Sequence, residues 1–367
     1  MSGIGPVRRL HGDGARRVLA RRQAHGEDPW ALFRSPAWYA AVEAWMRAEG
    51  REVTYWQVEG ASPAVLPLVE EGRRWHGLPY RQWRTATIPD TQFADAPLDA
   101  DAATHMAKAL VETPGWDVLQ LDHLPEAGSL HRHLVPALKD LGLAGIQTTG
   151  DGNAWVDLSQ GWDAYYATRS RRLKKGNNHI RNRLERAFER IEVHRWEGEG
   201  DLEAMFQRLV RLSAASWKRE TGLTFDRPAP QAFLRALFEH FLPRGELVVW
   251  WLALDGEPAA AELQLRRGGH VYALRADYDP RFEPYSPGTY LFWRLLQALL
   301  EEGLEGRYWM GPGENPYKTR WLQGREILQR YRFYRRSLRG RLLYTLEGRI
   351  KPWLKERMKR NDDGEAR

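Results

Sequence analysis

No cysteine occurs in the 367-residue sequence. Disulfides, thiolate-bound zinc and a cysteine acyl-enzyme are therefore excluded, and a reducing compartment is compatible with the chain. Long apolar runs are missing as well. No stretch approaches the roughly 20 uninterrupted apolar residues that a membrane-spanning helix needs. The first 26 residues are rich in Arg and Gly and lack the apolar centre of a secretory signal, so they read as a mobile basic arm. Histidines are scattered, and His131 and His133 lack partners at metal-ligand spacing, so no metal site is expected. The segment "GPGENPYK" (311–318) has the wrong spacing for a nucleotide P-loop. These absences predict a soluble, cytoplasmic protein.

What is abundant is aromatic and basic: 17 Trp, 14 Tyr and a net charge of +7. The rings suggest aromatic-lined grooves as well as core, and the charge favours acidic partners. Helix and strand patterns alternate, which argues for α/β or α+β domains. In the first half, Ser35-Pro36 precedes a helical repeat of Trp38, Val42 and Trp45 that Gly50 stops. "EVTYWQVEG" and "AVLPLVEEG" read as strands, and "RRWHGLPYRQWR" (73–84) as a basic aromatic loop. The second half repeats the order: two amphipathic helices, three strands of which the last is "HVYALRADYD", a long helix, then strands at "GRYWMG" and "LQRYRFYR". The join falls near Gly150 to Gly161.

The stretch "YDPRFEPYSPGTYLFWRLLQALLEEG" (278–303) stands out. A helix that opens directly after a strand leaves its first N–H groups unpaired at the positive end of its dipole, a ready phosphate site. Ser286 can cap this helix, Pro287 suits its first turn, and Gly288 lets a ligand approach the backbone. Ser-Pro-Gly is equally a good helix start with no ligand.

With these residues in view, the order from Leu202 to Arg335 resembles the GNAT acyltransferase fold. It looks most like the acetyltransferase family of bacterial polysaccharide and cellulose biosynthesis operons (CelD/BcsL-like). The matching motifs are Tyr278-Asp279-Pro280, Ser286-Pro287-Gly288, and Tyr317-Lys318 followed by Trp321. "NNHIRNRLE" (177–185) is similar to the Fem-type aminoacyltransferases, which carry two GNAT-like domains in tandem. The resemblance implies an α+β fold with mixed, mostly antiparallel sheets flanked by helices. It implies an N-terminal GNAT-like domain at 27–160 and a C-terminal acyltransferase domain at 161–338 that includes a basic helix at 165–191. A basic amphipathic tail fills 339–367, interrupted by Pro352 and suited to an anionic membrane surface or to the protein's own core.

Acyl transfer needs a base, oxyanion donors and an acid for the leaving thiol. Glu262, inside the apolar "PAAAELQL", and Asp277, at the end of the next strand, are the candidate bases; Glu314 is a third carboxylate. Each is also readable as a paired or surface carboxylate. By resemblance Tyr317 is the acid, and Tyr285, Ser286, Gly288 and Thr289 hold acyl-CoA. Lys318 would bind a phosphate or carboxylate of the substrate. Arg169, Arg172, Lys175, Asn178 and Arg181, on the basic helix, would flank the acceptor, a small molecule or a glycan or envelope precursor. Pro287 has no N–H to give a pyrophosphate, so an aminoacyl-tRNA donor stays open beside acyl-CoA. A third reading keeps the fold as a non-catalytic binding module of a polysaccharide assembly complex.

Overall fold

A computed structural model describes residues 6–12, 14, 15, 18, 28–59, 64–313 and 316–350. Along β2 (Val53–Val58), Tyr55 and Trp56 point to opposite faces and both are buried, in different hydrophobic cores. A strand buried on both sides means that its sheet is covered on both sides. Val65 and Leu66 divide between the same two cores on β3 (Ala64–Trp75).

The first sheet runs β1 (Val7–Leu10), β2, β3, β4 (Leu78–Thr85), β5 (Val118–Pro125), β14 (Leu328–Tyr334) and β6 (Ala144–Thr149). The second runs β13 (Gly324–Glu326), β7 (Asn153–Asp157), β12 (Arg307–Pro312), β11 (His270–Tyr278), β10 (Glu257–Arg267), β9 (Leu247–Leu254) and β8 (Ile191–Trp196). Each sheet contains one parallel pair, β4 with β5 and β11 with β12, and antiparallel pairs otherwise. A parallel pair needs a crossover, and a helix supplies it in both cases. These are α2 (Ala100–Glu112) and α8 (Pro287–Glu301).

Further α-helices among the described residues are α1 (Pro36–Ala48), α3 (Val135–Asp140), α4 (Trp162–Ala167), α5 (Arg171–Ala187), α6 (Leu202–Ala215), α7 (Pro228–Phe241), α9 (Pro316–Trp321) and α10 (Leu338–Thr345). Side chains of α1, α6 and α7 fill a core shared by the two sheets; α2 and α3 cover the outer face of the first, and α4, α5 and α8 that of the second. Edge-to-face contacts of Trp38 and Trp45 with Phe233 join α1 to α7. Many Trp side chains are thus core.

The sheets exchange strands. β7 precedes residue 161 yet lies beside β12 in the second sheet, and β14 belongs to the second half yet lies between β5 and β6 in the first. The contiguous spans 27–160 and 161–338 cut across this exchange. Residues 7–10, expected in a mobile arm, pair with β2. The segment 73–84, expected as a loop, is a hairpin: Trp75 pairs with Leu78, and His76 and Gly77 turn with φ of 43° and 89°. Two central residues at positive φ match the twist of the flanking strands. The basic helix ends at Ala187, and Ile191 starts β8. Residues 351–367 of the expected tail lie outside the described residues.

Candidate active site

The parallel pairing of β11 with β12 spans Val271↔Tyr308 and Tyr272↔Trp309. A bulge in β11 beside Leu263 and Gln264 of β10, and positive φ (79°) at Gly311 on β12, accompany their parting beyond it. The opening is a cleft of about 510 Å³, lined by Glu262, Asp277, Gly288, Thr289, Tyr317 and Lys318 among others. Six residues singled out from the sequence therefore share one hollow.

Glu262 is 3% exposed. Its Oε1 accepts hydrogen bonds from Tyr308 (2.6 Å) and from Gln264 (2.8 Å). Burial raises its pKa above the usual carboxylate value, and those two bonds only partly offset the rise. Tyr317 packs edge-on against Phe292 at 5.6 Å. Burial and the nearby Glu262 push its hydroxyl up, so it keeps its proton. Asp277 is a paired carboxylate, with Lys218 Nζ 3.0 Å from its Oδ1.

Lys318 Nζ donates to the carbonyls of Gly311 (2.9 Å), Pro312 (3.2 Å) and Gly313 (3.4 Å). Burial lowers its pKa to about 8. The ammonium thus staples the chain where β12 leaves β11, instead of reaching out for a substrate anion.

At the mouth of α8, Ser286 departs from expectation. It sits in the left-handed region (φ 56°, ψ 51°), its side chain makes no cap, and its Oγ is met by Arg183 Nη2 of α5 at 3.2 Å. The N–H groups of Thr289 and Tyr290 both donate to its carbonyl at 3.1 Å. Pro287 has no N–H, so among the expected donor-binding positions the Gly288 amide remains for a phosphate. Tyr285 packs on Phe188 outside the cleft lining.

The acceptor residues expected on the basic helix do not line the cleft. Arg169 instead donates to the carbonyls of Trp321 and Leu322, at 3.0 Å each, over the ring of Tyr165. Arg172, Lys175, Asn178 and Arg181 are exposed, and Arg181 lies 3.8 Å from Glu185. Helix geometry is the reason: Leu173, Asn177 and Leu184 take the buried face and turn these four side chains outward. Glu314 falls outside the described residues.

Sequence reading missed the contribution of the first half. Gln92 donates to the Ala273 carbonyl (2.8 Å) and accepts from Asn153 (3.0 Å), closing the base of the opening. Asp90 grips Arg275 in a two-pronged pair at 3.0 and 2.7 Å. These come from an irregular segment whose composition carries no periodic signal. Among the described residues no group of three or more His, Asp or Glu is placed to hold a metal ion, and no helix is long and apolar enough to cross a membrane.

The arrangement suits a donor at the mouth of α8 and a base deep on β10. Comparison with known proteins bears on the fold and the family. Residues 174–319 match the family model for an acetyltransferase (GNAT) domain. The crystal structure of FemX superposes with a TM-score of 0.56 at 12% identity, covering 92% of this chain and 99% of that one. L-PGS from Bacillus licheniformis gives 0.53 at 15% identity, with 94% and 98% covered. The C-terminal domain of a putative lysylphosphatidylglycerol synthetase from Agrobacterium fabrum gives 0.53 at 13%, with 90% and 94% covered. At such identities the likeness is one of fold. No curated protein matches this chain. The chain carries a GNAT acetyltransferase domain in a two-sheet GNAT-like fold, and it is an enzyme of the acyltransferase type.

Proposed function

We propose that the chain transfers an acyl group from acyl-coenzyme A directly to an amine or hydroxyl acceptor. The observation that carries this reading is the convergence of Glu262, Tyr317 and the first turn of α8 on one cleft. The donor's phosphates fit the α8 mouth: its first turn holds no acid, and a Cβ at Gly288 would come no nearer than 3.7 Å to Tyr278, so there is room. Attack by the acceptor's lone pair on the thioester carbonyl forms the new C–N or C–O bond and breaks C–S. Glu262 takes the acceptor's proton. Tyr317, held protonated by burial, donates a hydrogen bond to the sulfur, which departs as the coenzyme A thiolate.

The motifs between Tyr278 and Trp321 resemble those of the polysaccharide-operon acetyltransferases, which supports a glycan or cell-envelope precursor as acceptor, handled in the cytoplasm. The test is calorimetric titration with acetyl-CoA, followed by product analysis on a panel of amino and hydroxyl sugars. We expect one donor site per chain. A folded protein that takes up no heat with millimolar donor removes acyl-CoA from consideration.

One observation favours a second donor. Arg172, Lys175 and Arg181 project from α5 into solvent, and a cationic helix beside the cleft suits the aminoacyl-tRNA that the Fem-type resemblance implies. A gel shift with charged tRNA that weakens steeply with salt would select this donor.

A further inference from the structure

The chain after β14 exposes apolar surface where a folded protein has no internal use for it. Leu338 is 88% exposed, Leu342 47% and Ile350 39%; with half-buried Leu346 between them they recur every four residues. Four-residue spacing keeps them along one side of α10 and of the π-helical turn (Leu346–Ile350) that continues it. The opposite side is already satisfied. Leu343 is fully buried against Tyr80, Val118 and Tyr334 of the first sheet. Glu347, the only acid between 338 and 350, accepts from Arg332 (3.1 Å) and Tyr334 (2.8 Å) beneath. Acid therefore faces the protein, while Arg341 and Arg349 face solvent beside the stripe.

The positive surface extends beyond this segment. Arg339 lines an open basin of about 490 Å³ with Arg73, Arg74 and Arg81 of the β3–β4 hairpin. The acids near it, Glu71 and Asp117, are engaged and outnumbered: Glu71 by Arg84 at 2.7 Å and Arg73 at 2.6 Å, Asp117 by the Arg81 amide at 2.9 Å and Arg339 at 3.6 Å.

We infer that this face docks on an anionic lipid bilayer, with Leu338, Leu342 and Ile350 entering the headgroup–acyl boundary and the arginines lying over lipid phosphates. Exposed leucines beside a surplus of cations over acids match that boundary and no water-soluble ligand of small size. The contact places the protein on a membrane surface without spanning it. It does not depend on which donor the cleft accepts.

The full chain is sedimented with vesicles of phosphatidylcholine alone and with vesicles containing about 30 mol% phosphatidylglycerol; binding at least about tenfold stronger to the anionic vesicles is expected. Leu338→Asp with Leu342→Asp should reduce that binding about tenfold, because both leucines leave water on docking. Both are exposed, so the variant folds, and an unchanged melting temperature and unchanged donor binding confirm it. Equal binding to both vesicle types overturns the proposal. So does unchanged binding by the double variant, which would assign any attraction to residues 351–367 alone. A dimer in light scattering that the variant dissociates, without vesicle binding, assigns the stripe to a second copy of the chain and overturns it too.

Discussion

The hydroxyl of Tyr308, on β12, reaches across β11 and donates a 2.6 Å hydrogen bond to Glu262, on β10. The proposed base is thereby fixed by a neighbour two strands away, at the point where the strands part. Glu262→Gln keeps the size and an acceptor oxygen for Tyr308 but cannot take a proton. Turnover should fall by about 10²- to 10⁴-fold, the usual worth of a positioned base, with donor affinity unchanged in calorimetry.

The same carboxyl makes a pH prediction. Its folded pKa lies above the ordinary 4.5. The unfolded chain therefore releases this proton first, and its contribution to stability is lost as pH rises from about 4.5 towards the folded value. Measured against Glu262→Gln, the wild type should lose melting temperature over that window and then level off. Its activity should rise with pH above the ordinary carboxylate range, and the variant's residual activity should lack that rise.

Lys318 acts at the other edge of the cleft. Its protonated Nζ holds three successive carbonyls, and its folded pKa is lowered to about 8 from 10.5. Activity should therefore decline above pH 8 as the ammonium loses a donor and the 311–313 turn loosens. Lys318→Gln should show lower activity without that alkaline decline. Because the folded pKa is the lower one, the wild type should gain stability relative to the variant between pH 8 and 10.5. Thermal melts at several pH values decide both points.

Much of the second half was legible because its elements announce themselves. The helix at 287–301 follows its Pro-Gly start; of Tyr290, Leu291, Trp293, Leu295, Leu296, Leu299 and Leu300, whose spacing is helical, all are buried but Tyr290, which is half-buried. Glu262 was visible as an acid in an apolar strand. The exchange of β7 and β14 was not, because strand propensity carries no information about which sheet receives a strand. Arg169 misled for a related reason: a cation in a basic run has the same sequence signature whether it meets a ligand or the Trp321 carbonyl. The role of Gln92 rests on a fold that brings it to Ala273, 181 residues away.

That long-range closure makes a stability prediction. Asp90 and Arg275 are both buried, and Arg275 lies over the ring of Phe225 at 4.6 Å while it bonds Asp90. Asp90→Ala leaves the guanidinium desolvated without its anion, at a cost of about 3–5 kcal/mol. Asp90→Leu combined with Arg275→Met should cost less than Asp90→Ala alone, since it removes both charges. Chemical denaturation of the two variants measures the difference; equal losses would mean that the pair's charges do not matter.

The two crossover helices carry the last prediction. After β4, α2 opens with Asp99 capping the Ala102 amide at 2.8 Å and Asp101 in its first turn, so a phosphate meets negative charge there. After β11, α8 opens with no acid and no side-chain cap, and Arg183 stands at its mouth with its Nε buried and without a hydrogen-bond partner. A guanidinium at the positive end of a helix dipole is unfavourable until an anion joins them. The donor's phosphates would supply it, so only the second of the two repeated crossovers should bind coenzyme A. Arg183→Gln should weaken coenzyme A binding about tenfold, the worth of one charge-assisted bond, and flatten its salt dependence. Asp99→Ser should leave that affinity unchanged. An Arg183→Gln protein that binds coenzyme A as the wild type does would move the phosphates away from α8.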